Sequence, residues 1–152
     1  MGPKYILDAN LIVPFAVGLV DARRVPSHKR LKSYRPEDFY LLEIILSKAS
    51  KITSLPNAWT EASNLLGPSG EDTRQAKIIA IFQKLVAAWG CIYVPSDVAV
   101  TRSEFRFLGL TDSALLELAK ADFTILSADA KLCLAAWKIG LKASNFNDLL
   151  RL

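Results

Sequence analysis

Histidine is almost absent from this sequence, because His28 is the only one among 152 residues. An enzyme that pairs two histidines for acid–base catalysis is therefore excluded, and a Ser-His-Asp hydrolase is disfavoured. Cysteine is scarce too, and Cys91 and Cys133 lack the spacing of metal ligands. We expect both to be reduced thiols in the core, which is typical of a cytoplasmic protein.

Long apolar runs are also missing. The longest, residues 11–20, is too short to cross a membrane and is interrupted by Pro14 and Gly18. The N-terminus has no basic segment followed by an apolar core and a cleavage site, so no secretory signal is expected. What the sequence does have is 51% hydrophobic residues, which predicts one globular domain over residues 1–152 and no membrane partner.

Acidic residues are missing from one stretch, residues 22–35, although the whole chain carries a net charge of only +4. The basic residues of this stretch are Arg23, Arg24, Lys29, Arg30, Lys32 and Arg35. A solvated loop is the ordinary interpretation. The other is an arm that contacts the phosphates of a nucleic acid. An interface with a second copy of the chain, in a homodimer, or with an acidic partner protein also fits this pattern.

Short β-rich runs alternate with longer helical patterns, which predicts crossover connections and a mostly parallel sheet. The predicted strands are residues 4–7, 51–55, 91–94, 122–127 and 141–146. The predicted helices include one that opens at Pro36 and others over residues 55–67, 71–90, 110–121 and 129–140. The predicted fold class is α/β, a three-layer α/β/α sandwich with five strands in its central sheet. Ligands of such folds bind at the carboxyl ends of the strands.

Two acidic residues follow predicted strands. Asp8 comes directly after the first strand, and Asp129 follows the fourth strand after Ser127. We therefore expect both carboxylates at the carboxyl edge of the sheet. Asp8 is the harder one to explain as a structural residue, because hydrophobic residues flank it and an unpaired buried carboxylate is costly.

Two further acids lie on predicted helices. Glu61 lies on the border of the apolar arc of the helix over residues 55–67, with Asn64 one turn later. Asp112 follows Thr111, a predicted N-cap, and projects toward the core. Taken singly, Asp112 and Asp129 are helix-start residues and Glu61 is a surface residue. Taken together with the strand-end acids, they would repel one another unless a cation lay between them. Ligands that are all oxygen indicate Mg²⁺ or Mn²⁺ rather than zinc.

Four motifs occur in a specific order along the chain, "YILDANLIV", "WTEASNLLG", "LGLTDSALLELA" and "ILSADAKL". In this order, from residue 4 to about residue 147, they resemble the PIN-domain family of metal-dependent nucleases. The resemblance implies a catalytic, metal-binding site made of Asp8, Glu61, Asp112 and Asp129. The supporting polar residues would be Asn10, Asn64, Thr111 and Ser127. The sequence departs from the family at Ala9, where a Thr or Ser is common.

The resemblance implies an endoribonuclease that cleaves single-stranded or structured RNA with Mg²⁺ or Mn²⁺, which activates water and neutralises charge on the phosphate. The chain length resembles that of toxin-type PIN proteins, which a small antitoxin protein neutralises. A haloacid-dehalogenase-like phosphatase also starts from an Asp after the first strand. However, residues 8–12 do not match its Asp-x-Asp-x-Thr motif. A catalytically silent PIN-like module that binds RNA or a protein partner is the other alternative.

Overall fold

Four strands make up the sheet in the computed structural model, which describes residues 1–28 and 31–151. They are β1 (Lys4–Leu7), β2 (Lys51–Thr53), β3 (Thr124–Ser127) and β4 (Ala143–Asn145). The order across the sheet is β2-β1-β3-β4, and each pair of neighbours is parallel. The central strands β1 and β3 end side by side, with Leu7 paired to Leu126.

Helices connect these strands. Their bounds are α1 (Ala9–Asp21), α2 (Pro36–Ser47), α3 (Pro56–Leu66), α4 (Thr73–Trp89), α5 (Ser96–Ala99), α6 (Phe105–Leu108), α7 (Leu110–Ala119), α8 (Ala130–Lys138) and α9 (Phe146–Leu149). A short 3₁₀ helix, Ala22–Ser27, follows α1. No helix in the described part of the chain combines the length and apolar character needed to cross a membrane.

The predicted α/β class and parallel strands are confirmed, but the predicted fifth strand over residues 91–94 is wrong. This segment touches the sheet edge through a backbone hydrogen bond, in which the Ile92 N–H donates to the Ser54 carbonyl over 2.9 Å. Gly90, with φ 64, ends the preceding helix, Pro95 has no N–H to donate, and no further backbone hydrogen bond of the described residues continues the pairing. For the same reason Cys91 is exposed rather than in the core, whereas Cys133 is buried as expected.

Both faces of the sheet are covered by other parts of the chain. Ile6 and Leu7 of β1 are fully buried, and so are Ile125 and Leu126 of β3. Because successive residues of a strand point to opposite faces, burial of both members of each pair requires packing on both sides. This arrangement explains why the central strands are continuous apolar runs, and it is what a three-layer α/β/α fold requires.

Aromatic side chains fix the helices that carry the candidate site. Phe15 of α1 stacks on Phe39 of α2 at a centroid distance of 5.7 Å and on Trp89 of α4 at 5.6 Å. Trp59 of α3 lies 6.0 Å from the Trp89 ring, and its indole N–H donates to the Gly90 carbonyl. Stacked rings of this kind contribute about 0.5–1.5 kcal/mol beyond their buried area. They hold α3 in a fixed position against α1.

A glycine permits the close contact between α1 and α2. A Cβ atom on Gly18 would lie 2.3–2.6 Å from ring atoms of Phe39, well inside van der Waals contact. Any larger residue would push α2 away from α1 and disturb the aromatic packing. Gly18 is therefore a packing requirement of the fold.

Candidate functional site

Asp8 lies at the junction of β1 and α1, where its carboxylate has two well-defined partners. Its Oδ1 accepts a hydrogen bond from the Ala9 N–H at 2.7 Å, and its Oδ2 accepts one from the Ser127 hydroxyl at 2.7 Å. Its own N–H donates to the Leu126 carbonyl, which continues the pairing of the two central strands. The residue is 6% exposed. The strand pairing therefore places a buried carboxylate at the carboxyl edge of the sheet in one orientation.

Ser127 links the two strand-end acids. Besides donating to Asp8, its hydroxyl oxygen accepts the Asp129 N–H at 2.9 Å. Asn10 bridges the same two strand ends, because its side chain donates to the Ser127 hydroxyl at 3.4 Å and accepts the Ala128 N–H at 3.2 Å. Asn10 and Ser127 were both predicted as supporting residues, and the structure places them in one network around Asp8.

Asp129 is the N-cap of α8. Its Oδ1 accepts the N–H groups of Lys131 and Leu132 at 2.9 and 3.4 Å. The ordinary helix-cap interpretation is thus correct for this residue. Capping uses Oδ1, and the carboxylate as a whole still borders the cavity described below.

Asp112 lies in the first turn of α7, but the predicted N-cap at Thr111 is wrong. The helix begins at Leu110 and its N-cap is Gly109, whose φ of 87 suits glycine. The Ser113 hydroxyl donates to the Gly109 carbonyl at 2.7 Å and secures this start. Thr111 is thereby moved into the helix, where it borders the same cavity as Asp112.

One open cavity of about 540 Å³ collects the four predicted carboxylates. Asp8, Glu61, Asp112 and Asp129 all line it, and we call it the acidic cavity. Asn10, Asn64 and Thr111 line it as well, whereas Ser127 lies beneath Asp8. No Lys, Arg or His belongs to the lining formed by the described residues. The elements that meet there are the ends of β1 and β3 and the helices α3 and α7.

Burial, together with nearby negative charge, changes the titration of two of these acids. Burial, opposed by the hydrogen bonds from Ser127 and Ala9 and reinforced by Glu61 and Asp129, raises the pKa of Asp8 to about 6. Burial, reinforced by repulsion from Asp8, Asp129 and Glu61, raises the pKa of Asp112 to about 7. Both groups therefore hold a proton more tightly than an ordinary aspartate, which is the condition that a bound cation would relieve.

The donors around the acidic cavity suit a hard cation but do not form a closed cage. Among residues 1–28 and 31–151, no three His, Cys, Asp or Glu side chains are grouped closely enough to hold one ion. Mg²⁺ does not need such a group, because it keeps several of its waters and binds proteins through one or two carboxylates. The all-oxygen lining and its uncompensated charge therefore fit Mg²⁺ or Mn²⁺ with water completing the shell.

Several residues of the site were missed by sequence reasoning. Asn57 and Thr60 line the acidic cavity from α3 beside Glu61 and Asn64. Their spacing of three and four residues places them on one helix face, so a polar stripe was the available signal. Tyr34 is the other omission, since its hydroxyl donates to the Asn10 carbonyl at 3.4 Å. Burial, with smaller contributions from Asp38 and Asp8, raises the pKa of this hydroxyl to about 12.

The basic stretch is more neutralised than its sequence indicates. Asp21, just before it, lies 3.4 Å from Arg23 and 3.3 Å from Arg24, and Asp38, just after it, lies 3.4 Å from Arg35. The expectation that no acid compensates the stretch is therefore wrong for three of its members. Lys32 is exposed. The predicted phosphate contacts at Lys29 and Arg30 lie outside the described residues.

Comparison of the chain with protein-family models, with curated proteins and with solved structures found no match. The function of the chain is therefore inferred from its own residues and their geometry.

Proposed function

We propose that the chain is a metal-dependent endoribonuclease of the PIN type, with the acidic cavity as its active site and Mg²⁺ or Mn²⁺ as its cofactor. The observation that carries the proposal is the convergence of four carboxylates from distant parts of the sequence on one cavity whose described lining has no cation. An assembly of this kind raises the energy of the metal-free protein, as the raised pKa values of Asp8 and Asp112 indicate. The covering of both sheet faces further supports a PIN-like three-layer fold.

Each acid has a role in the proposed reaction. Asp8 would be the first metal ligand, because it is buried and its orientation is fixed by Ser127 and the Ala9 N–H. Asp112 and Asp129 line the same cavity, and either would be the second carboxylate ligand, with water completing the shell. Glu61 is exposed on α3 and would either bind the metal or position the attacking water. When bound, the metal would supply positive charge to the phosphate and lower the pKa of that water.

The supporting residues control orientation rather than charge. Ser127 and Asn10 tie the end of β3 to the start of α1, so that Asp8 and Asp129 keep their separation when a ligand enters. Ala9 is 1% exposed, and its backbone N–H, not a side-chain hydroxyl, helps to orient Asp8. Asp8 is thus oriented by the Ala9 N–H and the Ser127 hydroxyl, without a side-chain hydroxyl at position 9.

The direct test is cleavage of a fluorescently labelled single-stranded RNA by the purified chain. We expect cleavage with Mg²⁺ or Mn²⁺, none in EDTA, and none from Asp8→Asn in any metal. Asp148→Asn is the matched control, because Asp148 is an exposed aspartate outside the acidic cavity. Metal-independent cleavage, or an active Asp8→Asn protein, would contradict the proposal.

A second candidate, a module that binds RNA or a protein without cutting, is favoured by one observation. No three acids in the described part of the chain are grouped tightly enough to share an ion. The two candidates differ in the same assay, since a silent module would bind the RNA and leave it intact in both metals.

A toxin role with an antitoxin partner extends the proposal and rests on the resemblance of sequence motifs. A small reading frame for a DNA-binding protein beside the gene, whose product binds this chain and stops RNA cleavage, would support it. Cleavage that is unchanged by that product would contradict it.

A further inference from the structure

A second cavity of about 750 Å³, larger than the acidic one, lies at the far end of α1 and α3. Its wall contains Arg24 from the 3₁₀ helix and Arg74 and Lys77 from the first turns of α4, and we call it the basic cavity. Asn10 lines the acidic cavity and Asp21 lines the basic cavity. The two residues are about 16 Å apart along α1, given a rise of ~1.5 Å per residue. The two cavities therefore have opposite charge and a fixed separation.

The wall of the basic cavity has uncompensated positive charge. Arg74 and Lys77 are exposed, lie on one face of α4 and have no ion-pair partner among the described residues. The two carboxylates of the wall are both engaged. Asp21 pairs with Arg24 at 3.3 Å, and Asp72 accepts the N–H groups of Arg74 and Gln75. Two cations consequently remain available to an anionic ligand.

A third cavity borders the other two along the end of α3. It has a volume of about 360 Å³ and shares Asn64 with the acidic cavity and Leu66, Gly67 and Pro68 with the basic cavity. Gly67 ends α3 with φ 73, and an added Cβ there would meet no atom within 4 Å, so the surface is open at this residue. A strand that reaches both cavities would cross the protein here.

We propose that the basic cavity binds a phosphate of the same nucleic-acid strand whose cleavage we assign to the acidic cavity, several nucleotides from the bond that is cut. This inference rests on the proposed function and narrows its substrate to polynucleotides long enough to reach both cavities. Arg74 and Lys77 make the phosphate contacts, whereas the charge of Arg24 on the opposite wall is paired with Asp21. A mononucleotide or dinucleotide would reach only one cavity and gain nothing from the other.

The test compares two double variants in RNA binding and in cleavage. Arg74→Gln with Lys77→Gln removes the two available cations of the basic cavity. The control is Lys48→Gln with Lys51→Gln, which removes the same charge at the opposite, amino edge of the sheet, where both lysines are exposed and without an ion-pair partner among the described residues. All substituted side chains are exposed, so equal thermal midpoints of the two variants would verify that both fold.

Binding is measured first, by fluorescence anisotropy with a twelve-nucleotide RNA in EDTA, so that no strand is cut. We expect the basic-cavity variant to bind more weakly and its plot of log affinity against log salt to flatten by about 0.7, since each neutralised phosphate of a single strand contributes about 0.7. The control variant keeps the wild-type slope. Equal slopes for the two variants, or no RNA binding by the wild-type chain, would overturn the inference.

Cleavage then separates this inference from the function on which it rests. With Mn²⁺ we expect a higher KM for the twelve-nucleotide RNA in the basic-cavity variant, an unchanged kcat, and no change in either constant for a dinucleotide. A changed salt slope without any cleavage by the wild-type chain would contradict the nuclease and keep the phosphate site. Normal cleavage with an unchanged KM for the long RNA would contradict the phosphate site and keep the nuclease.

Discussion

The acidic and basic cavities are built in different ways. The acidic cavity has its central carboxylate buried at a strand end and held by short hydrogen bonds from Ser127 and Ala9. The basic cavity takes its charge from exposed side chains of α4 and the 3₁₀ helix. Fixed geometry is what chemistry at one bond requires, whereas flexible cations suffice to follow a phosphate backbone.

The two cavities also differ in how much their charged residues affect the stability of the protein. Burial makes the negative charges of Asp8 and Asp112 costly and keeps the metal-free protein under electrostatic strain. Exposed cations are screened by solvent, and surface ion pairs such as Arg23–Asp21 contribute only about 0–1 kcal/mol. Substitutions should therefore change both stability and activity in the acidic cavity, but binding alone in the basic one.

Asp8→Asn should abolish RNA cleavage and at the same time raise the thermal midpoint of the metal-free protein at pH 7. Asparagine keeps the size of the side chain and removes a buried charge whose pKa is raised from 3.8 to about 6. The expected gain in unfolding free energy is on the order of 3 kcal/mol, because the pKa is raised by about two units at about 1.4 kcal/mol per unit. Thermal unfolding in EDTA measures it. A lower midpoint would show that Asp8 is a structural residue.

The metal-free protein should lose stability as the pH rises from about 4 to about 7 through these acids. The folded-state pKa values of Asp8 and Asp112 are about 6 and about 7, against 3.8 for an ordinary aspartate. The folded state therefore binds more protons than the unfolded state in this window, so its stability falls as pH increases.

Chemical unfolding of the wild type and Asp112→Asn at several pH values in EDTA isolates this effect. The variant should show the smaller loss of stability with rising pH, whereas Asp148→Asn should follow the wild type. Saturating Mn²⁺ should raise stability more at pH 7 than at pH 5, because the ligands must be ionised. Parallel pH curves for all three proteins would refute the electrostatic account.

Ser127→Ala should lower both activity and stability. Its loss of activity should be smaller than the loss caused by Asp8→Asn. The substitution removes the hydroxyl that donates to Asp8 and accepts the Asp129 N–H. Loss of these buried contacts costs about 1–3 kcal/mol. Ser47→Ala is the control, since its hydroxyl bonds within an exposed helix end. A Ser127→Ala protein with full kcat would exclude an orienting role for this hydroxyl.

Arg23→Gln together with Arg35→Gln should have the smallest effect. These side chains are paired with Asp21 and Asp38, and they are 85% and 68% exposed. The salt slope of RNA binding should change less than in the variant of Arg74 and Lys77. Anisotropy titrations of both double variants side by side measure the difference. A larger change of the salt slope in the variant of Arg23 and Arg35 would show that the basic stretch contributes more to RNA binding than the basic cavity does.

The sequence predicted the acidic cavity better than the basic one, for a physical reason. An acid after a buried strand is constrained by the sheet, so Asp8 and Asp129 could be placed from the strand pattern alone. The start of a helix was harder to predict. Thr111 was predicted as the N-cap of α7, but Gly109 is the N-cap. The prediction of a fifth strand was wrong because the segment between Gly90 and Pro95 is joined to the sheet edge by the hydrogen bond from Ile92 to Ser54 and does not extend this pairing.

Charge on loops and helix surfaces was harder to interpret from the sequence. Asp21 and Asp38 lie just outside the basic stretch, and their ion pairs depend on the turns made by the 3₁₀ helix and the start of α2. Arg74 and Lys77 lie in the predicted helix over residues 71–90, and the sequence pattern singled out neither of them. Only the packing of α4 beside the ends of α1 and α3 brings them into a cavity.

The most direct test of the central claim is a crystal structure of the chain grown with Mn²⁺, with anomalous diffraction data to locate the ion. We expect an anomalous peak in the acidic cavity, within ligand distance of a carboxylate oxygen of Asp8, and no such peak in crystals of Asp8→Asn. Mn²⁺ bound elsewhere on the chain while the acidic cavity holds none, at a concentration that supports cleavage, would contradict the account.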